Sequence, residues 1–327
     1  MARYIALRVL NYTVLLFVAV SLAYLLAASS LNPRQIYALR QPPVDPDVIE
    51  TILRNCNISD NVPLLERYFT WLKNIFTEWN WGCSPTNGSV NAEVSVRVWV
   101  SLRLMIIGTL GGVVTGVLVG AWAATKQYKA PDRVYTLASL FVICTPSFVM
   151  GIVAQILAVK ANNALPWRIF EFVGETGSVD DYPMAAFVDR LQHLLLPTVV
   201  LILVTSAALS RIQRNLMLDA LGADYVRTAR AKGLPKRKAV MKHALRTALI
   251  PTGTYVAFTV AGMFVGATYT ERVFSFPGMG QYAVDAILKM DINAISAVTA
   301  FAGVCTMCGA ILSDIVVAIL DPRVRLG

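Results

Sequence analysis

RIQRNLMLDALGADYVRTARAKGLPKRKAVMKHALRTALIP, residues 211–251, is the stretch whose reading decides the architecture. Ten of its residues up to position 246 are Lys or Arg, and apolar runs flank it at residues 194–210 and 247–269. Each run can close its backbone hydrogen bonds internally as a helix, which lipid requires of a spanning segment. Short loops rich in Lys and Arg stay on the inner face of a membrane. The stretch therefore reads as an inner loop between two spans. Inside it, Asp224 suits a helix N-terminus, where negative charge is favoured. Tyr225, Thr228, Ala229 and Lys232 follow at i, i+3, i+4 and i+7 and share one helical face. Gly233 suits a C-terminal cap and Pro235 a stop. The pattern predicts a short surface helix over 224–232 and a second helical stretch over 236–243 leading into the next span.

Working outward, four more apolar runs lie at residues 9–31, 98–124, 134–159 and 294–320, which makes six spans. The 327-residue chain is 56% hydrophobic and 15% charged, against about 25% charged in a soluble domain. The first run follows Arg3 and Arg8 and is longer than the 7–15 apolar residues of a signal peptide. It reads as a retained helix, with cleavage near Ala28 as the alternative. Residues 32–97 are polar, with Pro33, Pro42, Pro43 and Pro46 and with Trp71, Trp79 and Trp81. They predict an outer element, helical over 64–78, where Leu65, Phe69, Leu72 and Phe76 recur at helical spacing. The expected organisation is thus 1–31 as N-terminus and first span, 32–97 as the extracytoplasmic element, and 98–327 as the core with the inner loop 211–246.

Orientation follows from Lys and Arg placement. With the N-terminus inside, the inner segments hold Arg3, Arg8, Lys126, Lys129, Arg133, the ten loop residues, Arg323 and Arg325, which are 17 of the 29. The positive-inside rule then puts both termini in the cytoplasm. The net charge of +9 is explained by these loops, and nothing in the chain resembles a nucleic-acid-binding pattern. Cys56 and Cys83 fall on the outer, oxidising side and are expected to form a disulfide, with two unpaired thiols as the alternative.

Within the spans, Gly108, Gly112, Gly116 and Gly120 stand four residues apart and form a ridge without side chains. Small residues at this spacing let another helix approach closely in lipid. Pro146 should kink the third span, while Pro197 and Pro251 are expected near helix starts, where the missing N–H costs little. Asp314, near the inner end of the sixth run, is the one acidic residue expected inside a span. A pathway lined by residues such as Thr205, Ser206, Met263 and Phe264 would suit a substrate passed through transiently. Enzyme chemistry has little support. The chain has two histidines, His193 and His243, and no paired-His metal motif, nucleophile elbow or phosphate-binding Gly-Lys-Ser/Thr loop. No catalytic residue, resident metal or cofactor is expected in this chain.

One string carries more. Tyr225-Val226-Arg227-Thr228-Ala229-Arg230-Ala231-Lys232-Gly233-Leu234, followed by His243-Ala244-Leu245-Arg246 and Ile250-Pro251, resembles the coupling loop of ABC importer permeases of the oligopeptide/dipeptide/nickel group. Thr145-Pro146-Ser147-Phe148, His193-Leu194-Leu195-Leu196-Pro197, Phe276-Pro277-Gly278-Met279-Gly280 and Asp321-Pro322-Arg323-Val324-Arg325 match in the same order. The large outer loop after the first span is similar to that of the first, B-type, subunit of a permease pair.

The resemblance implies an all-α type I importer fold with six transmembrane helices. It implies a multi-pass protein of the bacterial inner membrane that moves peptides inward. Residues Asp224–Leu234 would dock on a cytoplasmic ATPase. Two ATPase subunits or one fused chain would bind ATP and Mg. A second, C-type permease, an extracytoplasmic binding protein and membrane lipid would be the other partners. Nickel-chelate or glutathione import shares these motifs, and an ATP-independent carrier is the rival. The sequence departs from the family at Asn32-Pro33-Arg34-Gln35 and at Asp291-Ile292-Asn293, both facing outward. Arg227-Thr228-Ala229 also stands where the general pattern has Glu-Ala-Ala.

Overall fold

The computed structural model describes residues 2–38, 40–166, 168–177 and 183–320. The tail motif Asp321–Arg325, with its two inner-side arginines, lies outside the described residues. In chain order the helices are α1 (Ala2–Ser30), α2 (Pro46–Asn55), α3 (Leu64–Glu78), α4 (Val90–Thr125), α5 (Ala130–Cys144), α6 (Ser147–Ala164) and α7 (Pro183–Gly222). Then come α8 (Asp224–Ala231), α9 (Lys236–Ala239), a π-helical turn (Val240–Ala244), α10 (Leu245–Ala261), α11 (Met263–Val273), α12 (Met279–Leu288) and α13 (Ile292–Leu320). Among the described residues there is no β-strand, only one isolated antiparallel bridge from Cys83 to Ser89.

Among the described residues, five helices are each long and apolar enough to cross a membrane, within α1, α4, α6, α7 and α13. A bent pair, Lys236–Val260 with Met263–Val273, broken by 49°, makes a sixth when counted as one span. The fold is therefore that of an all-α, multi-pass membrane protein, as the resemblance implies. Three local expectations are corrected. The third apolar run is two helices, because Thr145 is extended (φ −91°, ψ 124°) before Pro146 rather than kinked within a helix. A proline's ring disfavours helical conformation in its predecessor, and here Thr145 takes the extended alternative. Pro197 lies inside the 40-residue α7, and Pro251 lies inside α10, which continues directly from the π turn. Each thus removes an interior donor, not a first-turn one.

The chain forms two compact units. One comprises the described residues of 103–274 with 308–320. Its frame is α4 laid along α7. A Cβ built at Gly108, Gly112, Gly116 or Gly120 would fall 2.8 Å from Leu201 Cβ, 2.5 Å from Thr205 Cβ, 3.1 Å from Leu209 Cβ and 2.4 Å from the Ser210 carbonyl oxygen. The glycine ridge is therefore filled by the backbone and side-chain roots of α7. At the inner side, Arg214 of α7 grips Asp132 of α5 through Nε (2.6 Å) and Nη2 (2.8 Å). Thr252 of α10 donates its hydroxyl to Gln213 Oε1 of α7 at 2.5 Å. α6 meets α11 where Gln155 Nε2 donates to the Val273 carbonyl at 3.0 Å.

The other unit comprises residues 2–102 and 275–307. Here α3 runs back along α1, with Trp71 stacked on Tyr24 at 4.5 Å between ring centroids. Cys56 and Cys83 are joined as a disulfide. Asn293, at the start of α13, donates both amide hydrogens inward, to the Cys56 carbonyl (3.0 Å) and the Cys83 carbonyl (2.9 Å). Gly82 (φ +96°) sits against that amide, 2.5 Å from where a Cβ would lie, so a larger residue there is strained and must displace the Asn293 amide. The helix over 64–78 occupies the expected residues, but Leu65, Phe69 and Phe76 are its exposed side. The buried side is Arg67 and Trp71.

Candidate functional site

The inner loop leaves α7 at Gly222, and Ala223, extended at φ −73° and ψ 147°, turns the chain into α8. Asp224 stands in the first turn, almost fully open to solvent, 3.8 Å from Arg227, which is also exposed. Such an exposed pair contributes at most about 1 kcal/mol. The end of the helix is better defined. Gly233 N–H bonds the Arg230 carbonyl at 3.0 Å, and Leu234 N–H bonds the Ala229 carbonyl at 3.2 Å. That 5→2 and 6→1 pair is a Schellman cap, with Gly233 in the left-handed conformation at φ +88° and Pro235 next. The helix runs Asp224–Ala231, and Lys232 is its C-cap.

α8 is held by one side chain that the periodicity of the sequence did not single out. Val226 is 3% exposed and belongs to a cluster with Ala124 of α4, Met217 and Ala220 of α7, Ala239 of α9, Val240 and Ala244 of the π turn, and Ala248 of α10. Leu234, after the cap, packs on the same cluster. Burying one valine side chain contributes about 1.5–3 kcal/mol, more than the exposed charges can. The available signal was a lone β-branched apolar residue among polar neighbours on a short amphipathic helix. Tyr225, Arg227, Thr228, Arg230, Ala231, Lys232 and Gly233 are exposed, and Ala229 is half-buried. The site is thus a rigid, capped helix rooted on α4, α7 and α10, with one anchored face and one open face.

The four pathway candidates sit elsewhere. Thr205 and Ser206 stand on the side of α7 that meets the glycine ridge, with Thr205 against Gly112 and Ser206 against Gly116. Ser206 donates its hydroxyl to the Leu203 carbonyl of its own helix. Met263 and Phe264 open α11 directly after the break at Gly262. Among the described residues, no group of three or more His, Cys, Asp or Glu is placed to hold a metal ion.

The comparisons with known proteins match this chain to a family. A family model described as "Binding-protein-dependent transport system inner membrane component" matches residues 116–326, which include α8 and its roots. The oligopeptide transport system permease protein OppB of Mycobacterium tuberculosis is 41% identical over 332 residues, covering all of both chains. The dipeptide transport system permease protein DppB of Lactococcus lactis is 31% identical over 331 residues, again covering all of both. The oligopeptide transport system permease protein AppB of Bacillus subtilis is 29% identical over 99% of this chain and 100% of its own. The chain belongs to the binding-protein-dependent transport system inner membrane component family, within the peptide ABC permease group.

Proposed function

We propose that this chain is the B-type permease of an ATP-driven importer that carries oligo- or dipeptides into the cytoplasm across a bacterial inner membrane, with both termini inside. The observation that carries the mechanism is α8. Its open face is free for a partner, while Val226 ties it to α4, α7 and the root of α10. A displacement of the docked helix is therefore transmitted to three elements at once. The docking partner is a cytoplasmic ATPase, present as two subunits or one fused chain, and ATP and Mg are bound there. Closure of the ATPases moves the spans between inward- and outward-facing states. A second, C-type permease completes the pathway, and an extracytoplasmic binding protein supplies the substrate. The relatives named for oligopeptide and dipeptide transport favour peptides over nickel chelates or glutathione.

The test uses Ala229→Trp and Gly233→Val in the reconstituted complex. A Cβ at Gly233 meets no atom within 4 Å, so valine there acts through the left-handed backbone alone. That conformation costs a residue with a Cβ about 1–2 kcal/mol. Both variants are expected to insert normally and to lose peptide uptake per ATP hydrolysed. Uptake at the wild-type ratio in both would remove the docking role. Uptake that survives deletion of the ATPases would establish a carrier instead.

A further inference from the structure

Beside the roots of α8 lies a cavity of about 500 Å³ that the transport mechanism leaves unused. It opens between the inner end of α4, α7 and the α9–π-turn segment. Its apolar wall includes Ala121, Trp122 and Met217, and Lys126, Lys236 and Arg237 also line it. No Asp or Glu lines it, and none of the three cations makes an ion pair among the described residues. Trp122 is 47% exposed in the last turn of α4. Tryptophan at a span's end marks the headgroup level of a bilayer.

The chemistry of the wall selects the occupant. A soluble anion would satisfy the cations and leave the apolar wall wet. A protein segment would have to bring both carboxylates and a long apolar side chain. An anionic amphiphile at the inner surface supplies both, and basic pockets between helices on that side suit such headgroups. We propose that the cavity binds an anionic phospholipid of the inner leaflet, its phosphate held by Lys126, Lys236 and Arg237 and an acyl chain laid on Ala121 and Trp122, in front of the fully buried Met217. Met217 is also a member of the cluster that anchors Val226. Lipid occupancy therefore supports the floor on which α8 stands. That consequence rests on the docking role proposed above, whereas the site itself does not.

The experiment titrates the purified transporter complex, in mixed micelles, with phosphatidylglycerol or phosphatidylcholine carrying brominated acyl chains. Bromine quenches tryptophan on contact, and the Trp122 contribution is the difference from Trp122→Phe. Phosphatidylglycerol is expected to reach half-quenching at a mole fraction at least about fivefold lower than phosphatidylcholine, since each basic residue contributes about fivefold to anionic-lipid binding. The triple change Lys126→Gln, Lys236→Gln, Arg237→Gln should bring the two lipids to parity. Ala121→Phe, which fills the apolar part and leaves every charge, should weaken quenching by both. Equal quenching by the two lipids in the unchanged protein would overturn the site as mere annular lipid. Absence of Trp122 quenching would show that another subunit covers the cavity and overturn it too. Relief of quenching by millimolar inorganic phosphate would assign the cations to a soluble anion instead. Neither uptake nor ATP hydrolysis is read, so a negative result leaves the docking role standing.

Discussion

Replacing Gly120 with alanine should force α4 away from α7. The added Cβ would lie 2.4 Å from the Ser210 carbonyl oxygen, 2.9 Å from Gln213 Cβ and 3.0 Å from Ser210 Cα. Two of those three atoms are backbone in the middle of α7, so no rotamer change relieves them. Restoring ordinary contact, about 3.5 Å or more, opens the interface locally by about 1 Å. Overpacking of this kind costs about 1–3 kcal/mol, which is about 5- to 150-fold in the folded-to-unfolded ratio. The displacement also bears on Gln213, fully buried and bonded to Thr252. Gly266 of α11 is the control, because a Cβ there meets nothing within 4 Å. Gly266→Ala should be neutral or stabilising by up to about 1 kcal/mol from helix propensity. Gly108→Ala should fall between the two, since its nearest atoms belong to the Leu201 side chain. The assay is SDS-driven unfolding in bicelles, followed by circular dichroism. If Gly120→Ala and Gly266→Ala unfold at the same SDS fraction, the close approach of α4 and α7 is refuted.

Three further outcomes are expected. Asp132→Ala strands Arg214 and releases the Tyr128 N–H that Asp132 accepts at 3.1 Å; breaking a buried pair costs about 3–5 kcal/mol, and with Arg214 partly exposed the lower end applies. Adding Arg214→Leu should recover part of the loss in a double-mutant cycle, and no recovery would show that the pair is not coupled. Asn293→Leu leaves the Cys56 and Cys83 carbonyls without their donor, at about 1–3 kcal/mol each for a buried unpaired group; hydrogen exchange over residues 80–90 should rise, and unchanged protection would count against the contact. Glu50's carboxyl is held down to about 2, first by Arg54, then by Ser59 and others including Arg34. Its folded value lies below the ordinary 4.5, so its pairing supports the outer element above about pH 4.5 and is lost as pH falls toward 2. Limited proteolysis of the 32–97 segment should therefore accelerate over that window, and Glu50→Gln should flatten the dependence.

Much of the site was legible because its signals are local. Gly233-Leu234-Pro235 specifies the end of α8 through bonds spanning five residues, and Asp224 marks its start. The length of the apolar runs identified the membrane spans, since backbone closure depends on nothing outside the segment. Even the glycine ridge was legible as a surface awaiting a neighbour. Less accessible were Val226, one apolar side chain whose value lies in seven buried partners on other elements, and the break at Thr145-Pro146, which is hard to tell from a kink without the rest of the bundle.

What the sequence by itself determined is therefore which segments are helices in lipid, where the basic loop sits, and the capped shape of α8. What only the tertiary structure decided is which surfaces meet. It placed α7 on the glycine ridge, drew Thr205 and Ser206 into that contact, turned Trp71 of α3 inward while Leu65, Phe69 and Phe76 face out, and brought Asn293 onto the two half-cystines. The physical reason is the solvent. In water an apolar face must be buried, so pattern predicts packing. In a membrane lipid satisfies an apolar face as well as protein does, and only close fit and directed hydrogen bonds select the partner.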